Sequence, residues 1–413
     1  MSTQAIQIII VGGAVQGLVL AFLLATRKAN QLANRLLAAL IILISFQAIL
    51  VAFDTREFFL TFPHLSKVSW LLPIIFAPLV YLFTEKLTQE QPRLRSLDAL
   101  HFVPALLVFF SLLPYYLKSR EEKVAYLNDF ELASRDDFGF IGQLALLMVS
   151  FYLLLSLVAY RRYRKTIANS FSELEKIRLQ WLQQFIYIML GILVMAVISF
   201  YAKKWEIPVL TQIYRYHLHY FGVIGLIYWI GYKALAQPQI FTAIPTTPVP
   251  MDYQETVPAP VLQEVAPHAE APMATTPSPK YQKSTLKEED SQTYLDQLLT
   301  YMDQEKPYLE PTLTIQELSD KLGISRHHLS QIINNRLGKN FYDFVNQYRV
   351  AEAQLMLVNP KYRHLTNLAV AEEAGFNSKA TFNAVFKKQT GKTPSEYIKT
   401  HTEARLNSAD QLT

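Results

Sequence analysis

Seven stretches between Ala5 and Leu235 are apolar enough and long enough to cross a bilayer, and they restrict the first half of the chain to one kind of secondary structure. They run near residues 5–26, 34–53, 66–84, 98–117, 139–160, 181–201 and 212–235. A crossing needs roughly 20 residues at 1.5 Å rise. Hydrocarbon offers a backbone amide no partner, so each stretch must close its own hydrogen bonds as a helix. The first stretch is too long for a signal-peptide core and has neither a basic start nor a small-residue cleavage site, so it reads as a retained span. Pro73, Pro78 and Pro104 fall inside spans, where neighbouring helices can absorb the lost hydrogen bond.

Loop charges orient the bundle. Arg27, Lys28 and Arg35 follow the first span, Lys86, Arg93 and Arg95 the third, and Arg161, Arg162, Arg164, Lys165, Lys176 and Arg178 the fifth. The longest even-numbered loop, 118–138, is instead acid-rich, with Glu121, Glu122, Asp129, Glu131, Asp136 and Asp137. The positive-inside rule then sets the N-terminus outside, and an odd number of spans delivers the C-terminus to the cytoplasm.

Within this half, Arg215, His217 and His219 in the run YRYHLHY are the candidate sensor residues, because ionisable groups at membrane depth are costly. The alternative for the same run is an interfacial aromatic belt with a snorkelling arginine. Ser172 to Trp181 reads as an amphipathic helix, with Ser172 and Glu175 at capping-box spacing and Leu174, Ile177 and Trp181 as its stripe. No span carries a deep carboxylate, which argues against a proton or cation pump. With no cysteine there is no disulfide, thiolate metal site or thiol nucleophile.

Composition changes sharply after the last span. Ten prolines fall between Pro238 and Pro279, interleaved with Ala, Thr, Val and Glu, and no helix or strand period runs through them. A disordered linker over 237–284 is expected, partly polyproline II. Beyond Lys321 basic residues outnumber acidic ones roughly two to one, which suits a face meeting phosphate.

That basic region holds two copies of one pattern. LTIQELSDKLGISRHHLSQIINNRLGK begins at Leu313 and LTNLAVAEEAGFNSKATFNAVFKKQTGK at Leu365. Gly323 answers Gly375, Ser325 answers Ser378, and Gly338-Lys339 answers Gly391-Lys392. In the first copy Thr314 and Glu317 have capping-box spacing, Gly323 supplies a positive φ, and Ser325 caps a recognition helix from Arg326 to Leu337. Leu329, Ile332 and Ile333 face inward, leaving Arg326, His327, Ser330, Gln331 and Asn334 for a major groove. In the second copy Phe382, Val385 and Phe386 face inward, leaving Lys379, Ala380, Asn383, Ala384, Lys387 and Lys388. His327 and His328 are not a metal pair, since adjacent helix residues diverge by about 100°. A helix from Phe341 to Leu357 separates the copies, and another near Ser291 to Glu305 precedes them.

Gly375-Phe376, Phe382, Phe386-Lys387-Lys388, Gly391, Pro394 and Tyr397 stand at the spacing of the AraC/XylS family, which residues 290–400 resemble. With a seven-span half attached, the chain resembles the membrane-bound regulators of that type. Ala384 departs from the family, many members of which carry a polar or basic residue there. The resemblance implies sequence-specific binding to double-stranded promoter DNA through both recognition helices; contact with RNA polymerase and a homodimer are further expected partners.

The expected fold class is all-α: a seven-helix transmembrane bundle over 1–236, the Pro-rich linker over 237–284, a double helix-turn-helix domain over 285–402, and a tail over 403–413. The expected function is transcription regulation from the bacterial inner membrane, with the lipid bilayer and a ligand of unknown class as further partners and no cofactor. A membrane transporter or enzyme with a regulatory DNA-binding tail is the alternative, but the spans hold no HExxH, nucleophile elbow, phosphate loop or acidic pair. A third arrangement makes the spans a passive anchor released by cleavage in the linker.

Overall fold

In the computed structural model, residues 3–28, 30–89, 91–129, 132, 139–175, 179–204, 219–236 and 288–401 are described. Among them every regular element is helical, and a lone β-bridge between Phe171 and Thr314 forms no strand. The molecule is all-α, as its periodicities require. The chain divides into two compact units, Met1–Thr166 with Lys176–Pro245, and Ile167–Glu175 with Thr246–Thr413. The expected linker over 237–284 and tail over 403–413 lie outside the described residues.

The first unit is built from α1 (Thr3–Ala25), α2 (Gln31–Ala52), α3 (Arg56–Thr61), α4 (Val68–Leu87), α5 (Val103–Tyr116), α6 (Arg120–Asn128), α7 (Phe140–Ala168), α8 (Gln180–Lys204) and α9 (His219–Ala236). Six helical stretches are long and apolar enough to cross a membrane: Gln4–Ala25, Gln31–Ala52, Pro63–Leu87, Ser96–Tyr116, Phe140–Ala168 and Gln180–Tyr201. In seventh place stands α9, whose 18 residues rise about 27 Å. The first part of the stretch expected there, 212–218, lies outside the described residues.

Packing in this unit relies on missing side chains. A Cβ on Gly13 would stand 2.4 Å from the Ile224 side chain, and one on Gly17 2.2 Å from Ser45 Oγ, so α1 nests directly against α9 and α2. Small residues are how apolar helices approach closely where water supplies no driving force. Ile6, Ile10 and Ala14 of α1 then meet Ala48 and Ala52 of α2 and Tyr220 of α9. A second cluster joins Ile74 of α4, Val108 and Leu112 of α5, and Ala145 of α7. The outward faces remain apolar: Ile8, Phe22, Leu107, Phe110, Leu147 and Leu154 are all exposed. So much uncovered apolar surface needs an apolar surrounding.

The fourth expected span, 98–117, divides into a 3-10 run, Ser96–Phe102, and α5. Pro104 therefore sits in the first turn of α5, where its missing N–H belongs to no helical bond, whereas Pro73, Pro78 and Pro114 lie inside helices.

The second unit contains α10 (Glu288–Glu305), α11 (Ile315–Leu322), α12 (Arg326–Asn335), α13 (Phe341–Val358), α14 (Asn367–Glu373) and α15 (Lys379–Thr390). It has two cores. One gathers Leu298 and Met302 of α10, Leu318, Leu329 and Ile333, and Phe344 and Val345 of α13. The other gathers Val350, Ala353 and Met356 of α13 with Val370, Phe376, Phe382 and Phe386. Burying each large apolar side chain contributes roughly 2 kcal/mol. A single helix, α13, thus lends its first half to one core and its second half to the other.

The segment Ile167–Glu175 belongs to this unit through a two-way backbone pairing. Ser172 N–H donates to Leu313 O at 3.1 Å and Ile315 N–H to Ser170 O at 3.0 Å. This overturns the amphipathic helix expected from Ser172 to Trp181: residues 172–175 are not helical, 176–178 lie outside the described residues, and α8 begins at Gln180. The physical reason is competition for one side chain. The hydroxyl that would cap a helix at Ser172 donates instead to Leu313 O at 2.6 Å.

Candidate nucleic-acid interface

Each helix-turn-helix is set by its caps. Thr314 Oγ1 accepts Glu317 N–H at 3.2 Å while the Glu317 carboxylate accepts Thr314 N–H at 2.8 Å, a reciprocal box that starts α11. Gly323 ends it at φ 66°, in the left-handed region that favours glycine. Ser325 Oγ then accepts His328 N–H at 3.2 Å and starts α12. In the second copy Thr366 caps α14 through Ala369 N–H, Gly375 turns at φ 86°, and Ser378 caps α15 through Thr381 N–H at 3.1 Å.

Gly375 meets a further demand. A Cβ there would lie 2.4 Å from Tyr308 O and 2.9 Å from Leu309 Cα, so the second turn packs directly on the backbone that leads into the first copy.

Burial sorts the two reading helices as their periodicity requires. Leu329, Ile332 and Ile333 are buried on α12, and Phe382, Val385 and Phe386 on α15. On the other faces, Arg326, His327, Lys379, Ala380, Ala384, Lys387 and Lys388 are exposed, and Ser330, Gln331, Asn334 and Asn383 half-buried. Each helix therefore shows an apolar face inward and a polar or basic face outward. Two of these side chains are engaged locally. Asn334 Nδ2 donates to Ser330 O at 2.7 Å, one turn back, and Lys388 pairs with Asp343 of α13 at 2.8 Å. The 18 residues of α13, about 27 Å long, join the copies.

Arg349, in the middle of α13, has no place among the candidates read from the sequence, and it organises the unit. It is 1% exposed. Its Nε donates to Tyr308 O at 2.7 Å, and Nη2 to Glu310 O at 2.7 Å and Ser172 Oγ at 3.1 Å. Nη1 donates to Ser172 O at 3.2 Å. Burial pushes its pKa down to about 10, which leaves the guanidinium charged at neutral pH. A signal for it exists: an arginine four residues from Val345 and from Ala353 lies on the apolar stripe of its helix.

Glu175 is the second addition. Its carboxylate accepts from the Ser378 hydroxyl and, at 3.1 Å, from Thr381 Oγ1, at the N-terminus of α15.

Of the candidate sensor residues, Arg215 and His217 lie outside the described residues. His219 lines a cavity of about 680 Å³ in the first unit, together with Gln47, Asp54, Lys67, Ser199 and Tyr220. Gln47 Oε1 and Ser199 Oγ are buried without a hydrogen-bond partner among the described residues.

Residues 318–400 match the family described as a helix-turn-helix domain. Over 85 residues the chain is 38% identical to an uncharacterized HTH-type transcriptional regulator of Staphylococcus aureus strain COL, which is 21% of this chain and 11% of that protein. Over 114 residues it is 27% identical to the transcriptional regulatory protein HptR of Staphylococcus aureus strain NCTC 8325 / PS 47, covering 28% of this chain and 42% of HptR. The chain thus spans between about a tenth and under half of the length of these relatives. A solved structure of a protein of unknown function from Listeria innocua is 29% identical, with 26% of this chain and 96% of that one covered and a TM-score of 0.23. The C-terminal part of the chain is a helix-turn-helix domain of the kind that transcription regulators carry.

Proposed function

We propose that this protein is an AraC/XylS-type transcription regulator built into the cytoplasmic membrane of a bacterium. Its second unit reads promoter DNA through α12 and α15, and its first unit crosses the membrane seven times, with the N-terminus outside. The observation that supports this best is the pair of capped reading helices sharing one rod, α13, each with its polar face exposed. A lone helix-turn-helix is also an ordinary bundle element, but two on one rod suit successive turns of a groove roughly 34 Å apart.

The first unit serves as sensor in this reading. Its cavity has mostly apolar walls that also carry Asp54, Arg56 and Lys67, and with two unpartnered buried oxygens, Gln47 Oε1 and Ser199 Oγ, it suits a small amphipathic ligand that donates hydrogen bonds. Homodimers and contact with RNA polymerase complete the proposal.

Mapping bound sites across the genome, with the full chain and with the second unit's reading helices altered, tests it. Discrete promoter sites lost on changing Gln331 and Lys387 are expected. Binding in purified form should weaken steeply with salt through counterion release. A full chain that binds no DNA at low salt would overturn the proposal.

A further inference from the structure

We propose that the face of the second unit formed by the Leu313–Ile315 backbone, Arg349, Ser378 and Thr381 is a docking surface for an extended acidic peptide. Its resident is the chain's own Ser170–Glu175, and the docked segment shuts the second reading helix to DNA.

The deep end of the surface is an anchor. Ser172 is 1% exposed, pairs with Leu313 in both its N–H and its hydroxyl, and gives its carbonyl and hydroxyl oxygens to the buried Arg349. The charge of Glu173 favours the charged form of that arginine, so an acidic segment fits here better than a neutral one. Backbone pairing plus one buried cation is a mode of recognition that sequence-distant segments share with strand addition.

The shallow end is where control arises. Glu175 is exposed, yet its carboxylate takes the hydroxyls of Ser378 and Thr381 at the first turn of α15. A reading helix enters the major groove by its N-terminal residues, and the same turn is where a phosphate oxygen docks on helix N–H and hydroxyl donors. Carboxylate and phosphate are the same kind of acceptor competing for the same donors. Both cannot occupy the turn, and a carboxylate left beside a phosphate would repel it.

The sequence supplies the link to a signal. Ser170–Glu175 joins α7 to α8, so any shift between those two helices pulls on the segment directly. Withdrawal of Glu175 opens α15, while the Ser172 anchor keeps the segment within reach. The proposal rests on the reading of α12 and α15 as DNA-binding helices, and the test separates the two.

The chain has no native cysteine, so Glu175→Cys and Thr381→Cys can be combined and bridged with a short bis-maleimide in the full protein in lipid nanodiscs. The bridge should form efficiently, and the bridged protein should bind promoter DNA at least tenfold more weakly than either single variant treated with the same reagent. Separately, Glu175→Gln should tighten binding about three- to tenfold, as expected for removing one charged competitor. Glu305→Gln makes the same charge change on α10 and should tighten it far less. Failure of the bridge to form, equal binding by bridged and single variants, or equal effects of the two glutamines would each overturn the docking proposal while DNA binding stands. If no form binds DNA, the proposed function itself fails, and this proposal with it.

Discussion

At Gly375 two demands fall on one missing side chain. The φ of 86° disfavours any L-residue, and a Cβ would meet Tyr308 O at 2.4 Å, a backbone atom that cannot swing away. Gly323, at φ 66°, has the first demand alone, with nothing within 4 Å of its Cβ position. Gly323→Ala should therefore cost about 1 kcal/mol and Gly375→Ala on the order of 3 kcal/mol or more. Pulse proteolysis in urea on the full chain measures both, and equal losses would show that the close approach to Tyr308 carries no weight. On the reading faces the roles also divide. Gln331 stands half-buried on α12 and can present an amide to an adenine edge, whereas Asn334 has turned its amide back to Ser330. Gln331→Ala should relax the choice of base by roughly 1–3 kcal/mol, with Asn334→Ala the milder change. Lys387→Ala should weaken all sequences alike and lower the salt slope by about one. Lys388, paired with Asp343, should matter less than Lys387. Selection from a random-site library resolves these outcomes. Uniform weakening by Gln331→Ala would reject its assigned role.

Helices in both units could be read from the sequence wherever a local rule decided them. Thr314 with Glu317, Ser325, Gly323 and the inward residues of α12 and α15 stand where caps, turns and a 3.6-residue period put them. Local rules failed where a distant partner intervened. Ser172 and Glu175 have capping-box spacing, but 141 residues further on Leu313 O takes the Ser172 hydroxyl, and Glu175 caps nothing because it reaches Ser378 and Thr381 instead. Arg349 was hidden for the same reason: apart from Asn346 on its own helix, its partners are oxygens of Tyr308, Glu310, Pro311 and Ser172, backbone and hydroxyl groups that no residue-type pattern marks. The strength of this strap can be apportioned. Arg349→Met removes the donor to Tyr308, Glu310 and Ser172 oxygens at once, at an expected loss of about 3 kcal/mol, because buried acceptors are left without a donor. Ser172→Ala removes a hydroxyl whose neighbours keep other partners, and about 1 kcal/mol should be lost. Chemical denaturation of the two variants would show whether the arginine or the serine carries the anchor. A larger loss from Ser172→Ala would reverse the assignment.

The pairing of Ser170–Ser172 with Leu313–Ile315 also constrains the proposed membrane topology. The proposed topology keeps both partners of this pairing on one side of the bilayer, which requires an even number of crossings between Glu175 and Glu288. The helix α8 is long and apolar enough for one crossing, and the proposal assigns the other to α9, whose described part is 18 residues. Five apolar stretches precede the segment, so the proposed arrangement counts seven crossings with the N-terminus on the opposite side from the second unit. The basic residues of the odd-numbered loops point to the same proposed topology, in which the second unit is cytoplasmic and can meet DNA. Cysteines placed singly at Ser134, Ser170 and Ser278, in a chain without native thiols, can be challenged with a membrane-impermeant maleimide on intact cells. Ser134→Cys should label, and Ser170→Cys and Ser278→Cys should label only after the membrane is opened. Labelling of Ser278→Cys on intact cells, with Ser170→Cys protected, would mean that α9 does not cross. The docked segment and the reading helices would then lie on opposite sides of the membrane, and the strap through Arg349 could not exist in the cell.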